Sequence, residues 1–354
     1  MKLPTPRWWY VREGRPGPVL HLLLKPLSWA WTAATARRLA RGRPVDPGVP
    51  VICVGNVTLG GTGKTPVVAA LARRLTDAAC KPAILSRGYG GSLKGPVRVD
   101  PSRHGAEEVG DEPLMLAAAL PDVPVWVSRD RVEGARAAAG AGASVILMDD
   151  GHQNPALSKT LSLVVSDGET RDGEWPLGDG GVFPAGPLRE PLAAGLVRAD
   201  AVILLLPSDL AAPDPDLAAA FSGPPLLTAR LVPEGPPPPG PQVGFAGVGK
   251  PWKVERALRA AGCELVDFAA FPDHAPWTPA RLRALEALAS AHGAGLVTTS
   301  KDWVRLPPAW RDRVKPWPVR AEFDDPAALD VVLSRATPSR GASGAGALRE
   351  VPGG

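Results

Sequence analysis

No stretch of this chain offers about 20 consecutive apolar residues, so nothing in it reads as a simple bilayer-spanning helix. The nearest approach, Val19 to Ala36, is broken by His21, Lys25 and Pro26. The N-terminal region also lacks the small-residue cleavage site that ends a secretory signal. Cysteine is scarce: Cys53, Cys80 and Cys263 are an odd, widely spaced set with no C-x-x-C pair. That argues against a disulfide framework and a thiolate zinc site, and it suits a reducing cytoplasm. The base-reading motif N-K-x-D is missing as well; the nearest run, Ser300 to Trp303, has the wrong spacing. A net charge of only +4 gives no reason to expect a nucleic-acid partner.

The charge that is present is unevenly placed. Residues 1–44 hold nine Lys and Arg against Glu13 alone, together with Trp8, Trp9, Trp29 and Trp31. Basic residues mixed with Trp and Leu suit a segment lying on an anionic membrane surface, attached peripherally. The same pattern also fits a basic helix packed on its own domain.

The strongest positive signal is VICVGNVTLGGTGKTP, Val51 to Pro66. A short β-branched run enters a glycine-rich turn, and a helical pattern follows Pro66. Strand, loop and helix in that order let backbone N–H groups wrap a polyphosphate. Thr58, Leu59, Gly60, Gly61, Thr62, Gly63, Lys64 and Thr65 would form the nucleotide cradle. Lys64 would reach the β/γ-phosphates of ATP and the Thr65 hydroxyl would ligate Mg²⁺. One position departs from G-x-x-x-x-G-K-[ST]: Thr58 stands where the pattern asks for glycine.

Strand-like and helix-like runs alternate beyond the loop, which predicts an α/β fold. Its core would be a P-loop NTPase-like parallel sheet with helices on both faces. The proline-rich run at 232–242 reads as a linker, and a smaller C-terminal α/β domain follows it. The expected layout is a membrane-associated segment 1–44, a kinase-like core 45–231, the linker 232–242, a second domain 243–336 ending in the strand PVRAEF, and a disordered tail 337–354.

Several runs could carry chemistry. VILMDDGHQ ends an apolar strand in Asp149 and Asp150, as expected for Mg²⁺-binding carboxylates beside a phosphate loop, although Asp-Asp-Gly is also ordinary turn chemistry. Asp111 and Glu112 precede a helix, where acidic caps are common. Phosphoryl transfer to an alcohol nevertheless needs a base and further carboxylates near the metal. His274, in FPDHAPW, brings an imidazole, a side chain suited to shuttling or polarising a proton. Arg87 and Arg189, in glycine- and proline-containing loops, have the planar guanidinium that clamps phosphate.

Together and in order, VGNVTLGGTGKTP, LSRGYGG, VGDEPLMLA, LMDDGHQ, FPAGPLREP, FAGVGKP, FPDH and TTSKDWVRL resemble the tetraacyldisaccharide 4′-kinase family of lipid A synthesis. The resemblance implies phosphorylation by ATP of the 4′-hydroxyl of an acylated glucosamine disaccharide 1-phosphate. It would take place on the cytoplasmic face of the inner membrane, by a protein expected to be a monomer. The resemblance also implies that Asp111 and His274 work as a dyad accepting the sugar proton. Glu112, Asp149, Asp150 and Thr65 would serve metal and nucleotide, and Arg87, Gln153 and Arg189 the substrate. Two positions depart from the family pattern, Asn154 after Gln153 and Ser300 before Lys301. The competing reading is a membrane-surface P-loop ATPase or GTPase acting on a partner and not on a lipid.

Overall fold

The computed structural model describes residues 7–10, 18–171 and 173–337. The expected disordered tail lies, from residue 338 on, outside the described residues, as do residues 1–6 and 11–17 of the basic N-terminal segment.

Among the described residues thirteen strands form two sheets. In chain order they are β1 (Val51–Gly55), β2 (Pro82–Ser86), β3 (Val97–Arg98), β4 (Val125–Val127), β5 (Val145–Asp149), β6 (Leu161–Asp167) and β7 (Ala201–Leu206). Then come β8 (Leu226–Pro233), β9 (Gln242–Ala246), β10 (Leu265–Ala270), β11 (Gly295–Thr299), β12 (Val314–Trp317) and β13 (Val319–Phe323). The larger sheet runs β13-β8-β7-β6-β1-β5-β2-β4-β3 and is parallel except at its edges, where β13 and β3 pair antiparallel. The smaller sheet, β10-β9-β11-β12, is parallel throughout.

β1 shows why this sequence makes a two-faced sheet. Ile52 and Val54 pack into one apolar cluster, and Val51 and Cys53 into another on the opposite face. All five of its residues are buried, as expected for a central parallel strand covered on both sides. Parallel pairing also aligns the carboxyl ends of β1, β5, β2 and β6 along one edge, where ligands bind in such sheets.

The strands depart from the expected domain limits in two places. PVRAEF does not end the second unit: β13 returns to the large sheet beside β8, and the helix Pro326–Leu333 packs Leu329, Val332 and Leu333 into the first core. β8 itself continues through Pro233, so the proline-rich connection is shorter than 232–242. The reason is apolar burial: the large sheet needed another strand and cover for its β8 edge.

Charged contacts join the two lobes. Asp167, at the end of β6, accepts from Lys250 at 2.9 Å and from Lys253 at 2.6 Å, both from the small lobe. The helix Pro18–Ala40 packs one side on the large lobe, with Ser28 Oγ donating to the Val182 carbonyl and Trp31 Nε1 to that of Arg189. Its other side exposes Leu22, Leu23, Leu27 and Trp29. Among the described residues no helix is long and apolar enough to cross a membrane.

Candidate active site

The phosphate loop leaves β1 at Gly55 and becomes the helix Lys64–Asp77. Gly60 and Gly63 hold φ of 95° and 78°, and a Cβ on Gly63 would lie 2.4 Å from Leu205. Glycine is required there on both counts. Thr58 is different: it forms an isolated antiparallel bridge with Leu188 and has no positive φ, so the departure from the glycine pattern costs the loop nothing. Neighbours brace the loop: Leu59 N–H donates to the Pro187 carbonyl, Tyr10 hydroxyl to that of Leu59, and Arg189 Nε to that of Thr58.

β5 ends beside the loop and delivers two aspartates to different surroundings. Asp149 is buried; its Oδ1 has no hydrogen-bond partner, and Ser86 Oγ approaches Oδ2 at 3.4 Å. Burial, with Glu112 and Asp150 nearby, raises its carboxyl to about 7. Asp150 sits at φ 52°, turned onto Lys64 at 3.7 Å and onto both terminal nitrogens of Arg189 at 2.8 and 3.2 Å. Desolvation opposes its ionisation, but Lys64 and Arg189 outweigh that and hold it at about 2.

Across the cleft, His274 Nδ1 lies 2.9 Å from Asp111 Oδ2. Asp111 opens the helix Asp111–Ala119 in the large lobe, and His274 follows β10 in the small one. Burial would raise the Asp111 carboxyl; the bond to His274 and the charges of Lys301, His274 and Arg305 prevail and set it at about 2. His274 adopts φ 57°, a conformation uncommon without glycine. Its surroundings enforce that turn: Asp302 accepts from Gly247 N–H at 3.0 Å, and the Gly247 carbonyl accepts from His274 N–H at 3.2 Å.

The expected residues do not all converge. Arg87 is exposed just beyond β2. Gln153, expected at the substrate, donates its amide hydrogens to the Asn56 carbonyl and to Glu190, so it braces the base of the loop. Arg189 is likewise committed to Asp150 and Thr58. Asn154 closes a local turn through Ala156 N–H, and Ser300 begins a short helix capped by Thr299.

Sequence reasoning missed Lys301. Its ammonium lies 3.5 Å from Glu112 and 3.6 Å from Asp273, tying the two lobes beside the dyad. Burial opposes its charge, but Glu112, Asp111 and Asp273 raise its pKa above the ordinary lysine value. It lies within TTSKDWVRL, yet only a partner across the cleft distinguishes it from a surface lysine.

A glycine cradle at a helix start, with a lysine in it and a buried carboxylate, Asp149, at the end of the neighbouring strand, defines a P-loop enzyme acting on a nucleoside triphosphate. The comparisons narrow that class. A profile described as tetraacyldisaccharide-1-P 4′-kinase matches residues 20–337. A tetraacyldisaccharide 4′-kinase from Phenylobacterium zucineum (strain HLK1) is 68% identical over 333 residues, covering 94% of this chain and 99% of the relative. One from Caulobacter vibrioides (strain NA1000 / CB15N) is 64% identical, covering 94% and 98%. The crystal structure of an "apo" form LpxK from Aquifex aeolicus in complex with ATP aligns with a TM-score of 0.70 at 28% identity, over 90% of this chain and 99% of that one. The chain therefore belongs to the tetraacyldisaccharide-1-P 4′-kinase family, and it is a phosphotransferase acting on a hydroxyl.

Proposed function

We propose that this protein moves the γ-phosphate of ATP to the 4′-hydroxyl of a tetraacyl glucosamine disaccharide 1-phosphate, using a base shared between its lobes. The 2.9 Å contact of Asp111 with His274, at the cleft that also holds the phosphate loop, carries the reading. A sugar hydroxyl is a poor nucleophile until its proton can leave. With Nδ1 turned to Asp111, the imidazole and carboxylate together accept that proton, and the imidazolium is held between Asp111 and Asp273, 3.7 Å from Nε2. Lys64 and the loop amides balance charge growing on the γ-phosphate oxygens.

Thr65, Asp149 and Glu112 are the residues that would hold Mg²⁺, whereas Asp150, expected with them, is turned onto Lys64 and Arg189. The unpartnered buried oxygen of Asp149 is the hard anionic donor such an ion takes. Among the described residues no three His, Cys, Asp or Glu side chains form a ready-made metal cage. Mg²⁺ ordinarily takes one or two carboxylates and completes its shell with phosphate oxygens and water. Held there, such an ion would supply positive charge to offset that of the triphosphate.

Incubation with labelled ATP and the acylated disaccharide 1-phosphate, followed by chromatography of the lipid fraction, tests the reaction. Label confined to inorganic phosphate, released only when a protein partner is added, would support the ATPase reading. We also assign the exposed side of the helix Pro18–Ala40, with Leu22, Leu23, Leu27 and Trp29 near Lys25, to the cytoplasmic face of the inner membrane. Leu23→Glu with Trp29→Glu should reduce cosedimentation with anionic vesicles and leave the phosphorylation of detergent-dispersed lipid active. Unchanged cosedimentation would remove this assignment.

A further inference from the structure

Tyr10 stands where three parts of the molecule meet: the N-terminal segment, the phosphate loop and the small lobe. It closes the short 3₁₀ helix Arg7–Tyr10, and Trp175 N–H donates to its carbonyl at 2.7 Å. Trp9 beside it is buried, with its ring edge-on to Phe183 at 6.0 Å between centroids. The backbone bearing the Tyr10 ring is thus fixed on the large lobe.

The hydroxyl meets the phosphate loop where its glycines begin. It donates to the Leu59 carbonyl at 2.7 Å, and Leu59 N–H donates to the Pro187 carbonyl at 2.7 Å, so both backbone groups of Leu59 are held. Gly60 follows at φ 95°, and a Cβ on it would lie 3.2 Å from the Tyr10 hydroxyl. Phenylalanine could place the same ring here, but it would take this donor from the Leu59 carbonyl.

The ring faces the other lobe. Lys250 Nζ lies 5.2 Å from the ring centroid and donates to Asp167 at 2.9 Å and to Glu174 at 2.5 Å. An ammonium at that distance is attracted by the negative face of the ring. Lys250 ends the turn between β9 and the helix Pro251–Ala260. In that turn a Cβ on Gly249 would lie 3.7 Å from the Gly61 nitrogen of the cradle, and the Gly247 carbonyl accepts from His274 N–H. Holding Lys250 therefore holds the backbone behind the imidazole against the loop that takes the triphosphate.

We propose that Tyr10 is a positioning residue with two contacts: its hydroxyl seats the phosphate loop, and its ring, through Lys250, sets the register of the small-lobe turn behind His274. Neither contact requires Tyr10 to meet ATP or the acceptor. The inference rests on the reaction proposed above and adds what aligns the two halves of its active site.

The test uses the full chain with Tyr10→Phe, Tyr10→Leu, Lys250→Met, Lys250→Arg and the double variant Tyr10→Leu with Lys250→Met. Calorimetry measures ATP affinity and the number of ATP sites; kcat for transfer to the acylated disaccharide 1-phosphate is expressed per ATP site. Tyr10→Phe should weaken ATP binding about fivefold, the scale of one lost hydrogen bond, with kcat changed less than about twofold. Tyr10→Leu and Lys250→Met should each lower kcat about fivefold, the scale of one cation–π contact. The double variant should stay within about twofold of Lys250→Met, because the two changes remove one shared interaction. Lys250→Arg should keep most of kcat, since a guanidinium also stacks on an aromatic face. Unchanged ATP affinity in Tyr10→Phe overturns the seating of the loop. Losses that multiply in the double variant overturn the link through Lys250. A deficit in kcat that disappears when rates are expressed per ATP site leaves Tyr10 a folding residue and overturns the link as well. An unaltered protein that binds ATP but transfers no phosphate to the disaccharide overturns the functional reading, while the ATP affinities still decide the seating.

Discussion

The large lobe holds its chemistry on a rigid, fully buried sheet, whereas the small lobe holds His274 on a strained turn supported by polar bonds. β1, β2, β5 and β7 are buried along their whole length; β10, which leads to His274, is mostly half-buried or exposed. The difference teaches how the work is divided. Binding and neutralising a triphosphate needs fixed dipoles, which a packed parallel sheet supplies at its carboxyl edge. Proton acceptance needs one group placed against that site from outside. In the reaction proposed above the small sheet would provide it, because the carboxyl ends of β9, β10 and β11 lie together at the cleft.

If the dyad is the joint product of both lobes, removing either half should do equal damage. Asp111→Ala and His274→Ala should each lower kcat by about 10² to 10⁴, with ATP binding retained. Lys64→Ala, by contrast, should weaken nucleotide binding and transfer together. Near-normal turnover in both dyad variants would break the comparison.

Acid should act on the lobes in separate windows. In the large lobe, His152 is buried between Ser162 and the Gly195 carbonyl, and burial lowers its pKa to about 4. The unfolded chain takes up that proton first, so this stability is intact above about pH 6.5 and is lost as pH falls towards 4, by about 3 kcal/mol. At the junction between lobes, desolvation opposes ionisation of Asp167, but Lys253 and Lys250 outweigh it and hold the carboxyl at about 2. That contribution is complete above about pH 4 and lost as pH falls through 2, on the order of 2 kcal/mol. Denaturant titrations across pH should show the first loss removed by His152→Gln and the second by Asp167→Asn. A single shared transition unaffected by either variant would contradict the separation.

The smallest effect is expected at Lys301, which positions groups on both sides of the cleft. Lys301→Ala should lower kcat by about tenfold, the range of a single lost ion pair that leaves a carboxylate uncompensated. Lys301→Arg should recover part of it. A change confined to KM for ATP would place Lys301 in nucleotide binding instead.

Local chemistry makes the large lobe's site legible in the chain itself. Gly60, Gly63, Lys64 and Thr65 lie within six consecutive positions, and the loop they form is a short-range object whose backbone needs are written in its residues. The dyad is legible only through resemblance to a family, because Asp111 and His274 are far apart in sequence. Arg189 and Gln153 read as substrate ligands because a sequence shows a side chain's chemistry and not its partners. Folding pairs them with Asp150, Thr58, Asn56 and Glu190.

The sequence by itself determined the elements and the triphosphate cradle, since periodicity, β-branched runs and glycine positions act over a few residues. Only the tertiary structure decided that β13 returns to the first sheet, that Lys301 spans the cleft, and that the imidazole of His274 meets the carboxylate of Asp111. Those outcomes depend on which apolar faces bury each other and on which charges lose water together, and both are properties of the packed chain.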